Sequence, residues 1–101
     1  MAFTLLNEVA VDTTPADSAC YVSDGSAKNL LIDAISFGGG SVTIEVKRVG
    51  GQWVVPKLAD GSYAIFTAGA VEKVDFVAQG DLVRAKLTGS IGASKVNAKL
   101  G

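Results

Sequence analysis

In Ser41-Val42-Thr43-Ile44-Glu45-Val46-Lys47-Arg48-Val49, Val42, Ile44 and Val46 alternate with Thr43, Glu45 and Lys47. Successive side chains of a β-strand point to opposite faces, so this stretch reads as a strand with one apolar and one wet face. Working outward, Gly50-Gly51 separates it from Gln52-Trp53-Val54-Val55, the pattern of a hairpin closed by a tight two-residue turn. Pro56 has no N–H to give a ladder and ends that pairing or marks an edge.

The same vocabulary recurs along the chain. Extended runs are expected at 3–11, 19–23, 28–37, 63–66, 71–78, 82–88 and 93–100. Between them lie Thr13-Thr14-Pro15-Ala16-Asp17, Asp24-Gly25-Ser26, Gly38-Gly39-Gly40, Asp60-Gly61-Ser62, Gln79-Gly80-Asp81 and Gly89-Ser90-Ile91-Gly92, all turn chemistry. The one stretch that also fits a helix face is Lys28 to Phe37, through Leu30, Leu31, Ala34 and Ile35; its length and the glycine run after it favour a strand. So many short strands must close into two packed sheets or a barrel. The expected fold is all-β, an antiparallel β-sandwich, jelly-roll-like or immunoglobulin-like, because alternation does not encode strand order. Residues 1–101 are expected to form a single domain, with residues 1–11 an extended N-terminal arm. Val42, Ile44, Val46, Val74, Phe76, Val83, Ala85, Leu87, Val96, Ala98 and Leu100 are expected to face inward.

Composition narrows the function. Hydrophobic residues make up 49% of the 101, too many for a disordered chain, and charged residues only 19%, below the usual quarter or so. A thinly charged surface suggests that part of it is covered by a partner. Net charge is −1 and the only adjacent basic pair is Lys47-Arg48, so no nucleic-acid partner is expected. The apolar runs are too short to span a membrane, and Met1-Ala2-Phe3-Thr4 lacks the features of a secretory signal, so synthesis in the cytoplasm is expected.

The chain contains no histidine and one cysteine, Cys20. That removes Ser-His-Asp and Cys-His chemistry and a tetrahedral zinc site. Cys20 reads as a small buried hydrophobe. Asp24, Asp60 and Asp81 sit in glycine-containing turns without the spacing of a calcium loop, and Gly38-Gly39-Gly40-Ser41 lacks the Lys and following helix of a phosphate-binding loop. It reads as a flexible loop. No enzyme activity, catalytic residue, metal or cofactor is expected. Trp53 admits two readings, a core aromatic or a platform for carbohydrate or protein, and the usual burial of large aromatics favours the first.

Ser41-Val42-Thr43-Ile44-Glu45-Val46, Gly50-Gly51-Gln52-Trp53-Val54, Asp60-Gly61-Ser62 with Phe66-Thr67-Ala68-Gly69, and Gly80-Asp81-Leu82-Val83-Arg84-Ala85-Lys86-Leu87-Thr88-Gly89 together resemble small virion proteins of tailed bacteriophages. The chain before Ser41 departs from that group. The resemblance implies a β-sandwich or jelly-roll protein of the phage particle, made in the host cytoplasm. Its role there would be capsid cement (decoration), with a collar, tail or fibre-attachment component as the alternative, or a carbohydrate-binding sandwich outside that group. The implied partners are the major capsid protein or other virion proteins and further copies of the chain, commonly as a trimer. An interface is expected on segments with more apolar or flexible residues than a turn needs: Phe3, Leu5 and Leu6 of the arm, Gly38, Gly39 and Gly40, and Trp53, Val55 and Leu58. Deletion of residues 2–6 in particular is expected to weaken particle binding while leaving the fold largely intact.

Overall fold

The computed structural model describes residues 3–74 and 77–101, which contain eight strands in two four-stranded antiparallel sheets packed as a sandwich. One sheet holds β1 (Phe3–Val9), β8 (Val96–Leu100), β3 (Lys28–Asp33) and β6 (Ala70–Val74), in that order. The other holds β2 (Tyr21–Val22), β7 (Leu82–Thr88), β4 (Ser41–Lys47) and β5 (Ile65–Phe66). The pairings nest: β4 with β5, β3 with β6, β2 with β7 and β1 with β8. The helix-compatible stretch forms strand β3, and a short 3-10 turn at Asp17–Ala19 precedes β2.

The alternation read from sequence sets the core. Val42, Ile44, Val74, Val83, Ala85, Leu87, Val96, Ala98 and Leu100 are all buried, and Val46 is partly buried against them. Phe76 lies outside the described residues. The first sheet contributes Leu30 and Ile32 from β3 to the same core. β4 departs from the expected one-sided pattern: Thr43 and Glu45, on the face expected to be wet, are buried too. They are covered by an aromatic and ionic layer described below.

Residues 3–9 do not form a free arm. They pair with β8 along its length, Phe3 opposite Leu100 and Val9 opposite Val96. The adjacent Leu5 and Leu6 are both in the core. A regular strand would send one of them to solvent. Register shifts between Thr4 and Leu6 and between Leu6 and Val9 insert extra residues, so consecutive side chains can both turn inward. Gln52 to Val55 likewise makes no strand, only an isolated bridge between Val54 and Val46.

Ile44 is fully buried beside Ala85 at the middle of the β4–β7 ladder. Ile44→Ala removes that side chain from a closed site and is expected to cost about 2–5 kcal/mol in denaturant unfolding. A loss near zero would place the core on the other face of β4. Removal of residues 2–6 strips the first half of β1, with Leu5 and Leu6, from the core, so the truncated chain is expected to lose its cooperative unfolding transition.

Candidate interaction surface

The longest excursion leaves β4 at Lys47 and returns at β5, residues 48–64. Gly51 N–H donates to Arg48 O at 2.8 Å, which makes Val49 and Gly50 the turn's central pair. Only Gly50 of the two has positive φ, 76°. That is the pattern of a type II turn, whose twist splays the flanking strands instead of continuing the ladder. The chain therefore opens past the turn and pairs with β4 again through the reciprocal Val46–Val54 bonds, 2.9 Å each way, and then where Ala64 O accepts from Ile44 N–H at 2.9 Å just before β5. Beyond Pro56 a second small loop closes through the Lys57–Tyr63 bridge, and Asp60 Oδ1 accepts from Ser62 N–H at 2.9 Å and Ser62 Oγ–H at 2.6 Å.

On the outer side of the sheet Glu45 faces Arg84 across the β4–β7 pair. Glu45 Oε1 accepts from Arg84 Nε and lies 2.8 Å from Arg84 Nη2, while Oε2 lies 3.3 Å from Lys86 Nζ. The Trp53 ring covers this cluster, its centroid 4.0 Å from the Arg84 guanidinium carbon and 5.9 Å from Lys47 Nζ. Lys47 Nζ in turn donates to Asp17 Oδ2 at 3.2 Å. Trp53 is thus neither a core aromatic nor a bare platform. One ring face is spent as a lid on a desolvated ion pair, a contact worth about 1–2 kcal/mol at such a site. The lid keeps water from the Glu45 carboxylate, where loss of either partner would strand a buried charge. Cys20 lies close to this layer, buried, with Sγ–H donating to Ala16 O at 3.3 Å. Burial, and then the charge of Asp17, push its thiol pKa up against the opposing pull of Arg84, so the nucleophilic thiolate is disfavoured.

The inner side of the same excursion is open. Val46, Arg48, Gly51, Gln52, Val54 and Pro56 line an apolar groove of about 310 Å³. Asp81, almost fully buried, accepts from Ala78 N–H at 2.8 Å and from Arg48 Nε at 3.4 Å. Val54 is 61% exposed and Val49, at the turn, 92%. Tyr63 is also exposed, under Lys57.

The other residues expected to form an interface lie elsewhere. Phe3 packs on Tyr21, ring centroids 5.3 Å apart, and Leu5 and Leu6 are in the core. Val55 is half-buried, and Leu58 packs on the core cluster. Gly38-Gly39-Gly40 is not a loose loop. Gly40 N–H donates to Phe37 O at 3.0 Å around Gly38 and Gly39, φ 62° and 74°, a type I′ turn pinned to the β7–β8 connection by Ile91 N–H on Gly38 O at 2.8 Å. Asp12 ties in the β1–β2 connection, accepting from Gly89 N–H at 3.0 Å and Ser90 N–H at 2.9 Å. At this end Ile35 and Ile91 are exposed beside the turn, and Val11 beside Asp12. The signal that sequence reading passed over is an apolar residue set inside turn chemistry: Val49 before Gly50, and Ile91 between Ser90 and Gly92.

Two measurements check this local geometry. A methyl at Gly38 would lie 2.7 Å from Ala93 N and Ile91 O, whereas nothing lies within 4 Å of one at Gly39. Both substitutions to Ala incur left-handed strain of about 1–2 kcal/mol. Gly38→Ala is expected to destabilise by a further 1–3 kcal/mol or so from overpacking, read as a lower midpoint of denaturant unfolding. In the Asp24-Gly25-Ser26 turn the Ser26 hydroxyl and then its N–H hold the Asp24 carboxyl down to about 2 from its ordinary 3.8. A depressed carboxylate stabilises above its unfolded pKa, and that contribution is lost as pH falls through about 2. The carboxyl carbon of Asp24 is expected to titrate near 2 by NMR and to move back toward 3.8 in Ser26→Ala. Compared with family models, curated proteins and solved structures, the chain matches none.

Proposed function

We propose that the chain is a non-enzymatic structural protein of a tailed-phage virion, a capsid cement that bridges neighbouring capsid subunits as a homo-oligomer, a trimer in the first instance. The observation that carries this reading is the gathering of exposed apolar side chains on connections at the two ends of the sandwich, beside Val22, Leu31, Ile65 and Val71 on the strands. Val11, Ile35 and Ile91 project from connections at one end of the sandwich, and Val49, Val54 and Tyr63 from the β4–β5 excursion at the other. Exposed apolar residues of this kind favour a protein partner. Sheet edges are poor alternatives: β2 and β5 have two residues each, β1 is bulged, and Glu72 of β6 stands opposite the buried Leu30. Such edges resist strand addition and leave loops and faces for assembly.

The nested strand pairing supports a jelly roll over an immunoglobulin-like sandwich. Two sheets ordered 1-8-3-6 and 2-7-4-5 are what one long hairpin makes when it wraps on itself, and jelly rolls combine eight strands in two Greek keys. An immunoglobulin constant-type sandwich divides seven strands unequally. The alternative of a carbohydrate platform is weakened by the stacking of Trp53 on Arg84.

The test is sedimentation of labelled chain with empty shells and with tails of the virion. Saturable binding to shells, at a copy number set by their symmetry, is expected. Binding to tails alone would move the protein to a collar or fibre-attachment role. A monomer that binds neither would end the structural reading. Val49→Asp and Ile91→Asp, both on exposed side chains, are expected to weaken shell binding while changing stability by no more than about 0.5 kcal/mol.

A further inference from the structure

The groove of the β4–β5 excursion has the chemistry of a specific site. Its apolar walls are Val46, Val54 and Pro56, its rim is Gly51 and Gln52, and Arg48 stands at its side. At about 310 Å³ it is at the lower limit of ligand pockets, enough for one aliphatic side chain and its flanking backbone. Arg48 is exposed, yet its position is set: Nε donates to the buried Asp81, which is itself held by Ala78 N–H. That contact uses the inner edge of the guanidinium. Among the described residues its only side-chain hydrogen bond is this one from Nε, and its terminal amino groups donate none. A planar guanidinium with its amino groups free recognises a carboxylate.

We propose that this groove receives an extended segment of a partner protein, an aliphatic side chain entering between Val46, Val54 and Pro56 and an adjacent carboxylate meeting Arg48. The proposal rests on the reading of the chain as a partner-binding module and names the partner's chemistry. Charge complementarity selects the occupant, since a neutral apolar segment would leave the terminal amino groups of Arg48 unused and a basic one would oppose them. One side chain and one ion pair bind weakly alone. A cement protein tolerates that, because many linked copies on one particle convert weak contacts into avidity.

The test is a titration of the full-length 15N-labelled chain with N-acetyl-Leu-Glu-amide, beside N-acetyl-Leu-Gln-amide and N-acetyl-Gly-Glu-amide. Saturable amide shifts are expected at Val46, Arg48, Gly51, Gln52 and Val54. Each control is expected to bind roughly tenfold more weakly, the worth of one charge-assisted hydrogen bond or one buried aliphatic side chain. Val54→Trp, on an exposed position, fills the groove and should abolish the shifts. Arg48→Gln should make the Leu-Glu and Leu-Gln peptides bind alike. Should that variant fail to fold because Asp81 is stranded, added salt serves instead, weakening the Leu-Glu peptide and sparing the Leu-Gln peptide. Equal binding of all three peptides, or no saturable shift at the groove, overturns the proposal even if the chain binds shells, and leaves the cement reading standing. Groove binding by a chain that ignores shells and tails supports the proposal and removes the virion.

Discussion

The β4–β7 ladder is the constraint on which the rest of the structure depends. Seven residues of each strand pair without a register shift, from Ser41 with Thr88 to Lys47 with Leu82. On the inner face this sets Val42 against Leu87, Ile44 against Ala85 and Val46 against Val83, all part of one core. On the outer face the same register sets Glu45 against Arg84. A slip of β4 by one residue would exchange its faces, burying Glu45 in the core away from Arg84 and exposing Val42, Ile44 and Val46. The two-residue strands β2 and β5 have little pairing of their own and are held by this ladder.

Both faces of β4 are therefore committed, for different reasons. The inner face is held by removal of apolar area from water. The outer face is held by an ion pair that is favourable only while its partners and its cover stay in place. Trp53 provides that cover from the β4–β5 excursion. The splayed type II turn at Val49-Gly50 thus has two consequences. It swings Trp53 onto the outer face, and it leaves Val54 exposed and Val46 only partly covered on the inner one. A tight primed turn would have continued the ladder and closed the groove.

Nested pairing also joins the beginning of the chain to its end. β1 meets β8, so the eighth strand completes the sheet that the first one starts. Contacts so distant in sequence form late, after the loop-closure entropy of the inner pairs has been met. The same pairing leaves β1 and β6 as edges of one sheet and β2 and β5 as edges of the other, each short, bulged or carrying an inward charge. The surface left for contact is loop and sheet face, and apolar side chains such as Ile91 and Val54 stand there.

What the sequence by itself determined is the local level. Period-two alternation in Val42 to Val46, Val83 to Leu87 and Val96 to Leu100 identified strands and their buried faces, because the pleat acts residue by residue and needs no partner. Asp-Gly-Ser segments identified turns for the same reason: their hydrogen bonds close within three residues. The tertiary structure alone decided the rest. The burial of both Leu5 and Leu6 needs a bulge that depends on pairing with β8, far along the chain. The glycine run at 38–40 is held in place because the β7–β8 connection lies against it, and not because of its own composition. Trp53 became a lid and Val54 a groove wall because closure of the sandwich placed Arg84 beneath the first and left the second exposed. Alternation states which side of a strand is apolar; only the packing of distant strands states what, if anything, that side will meet.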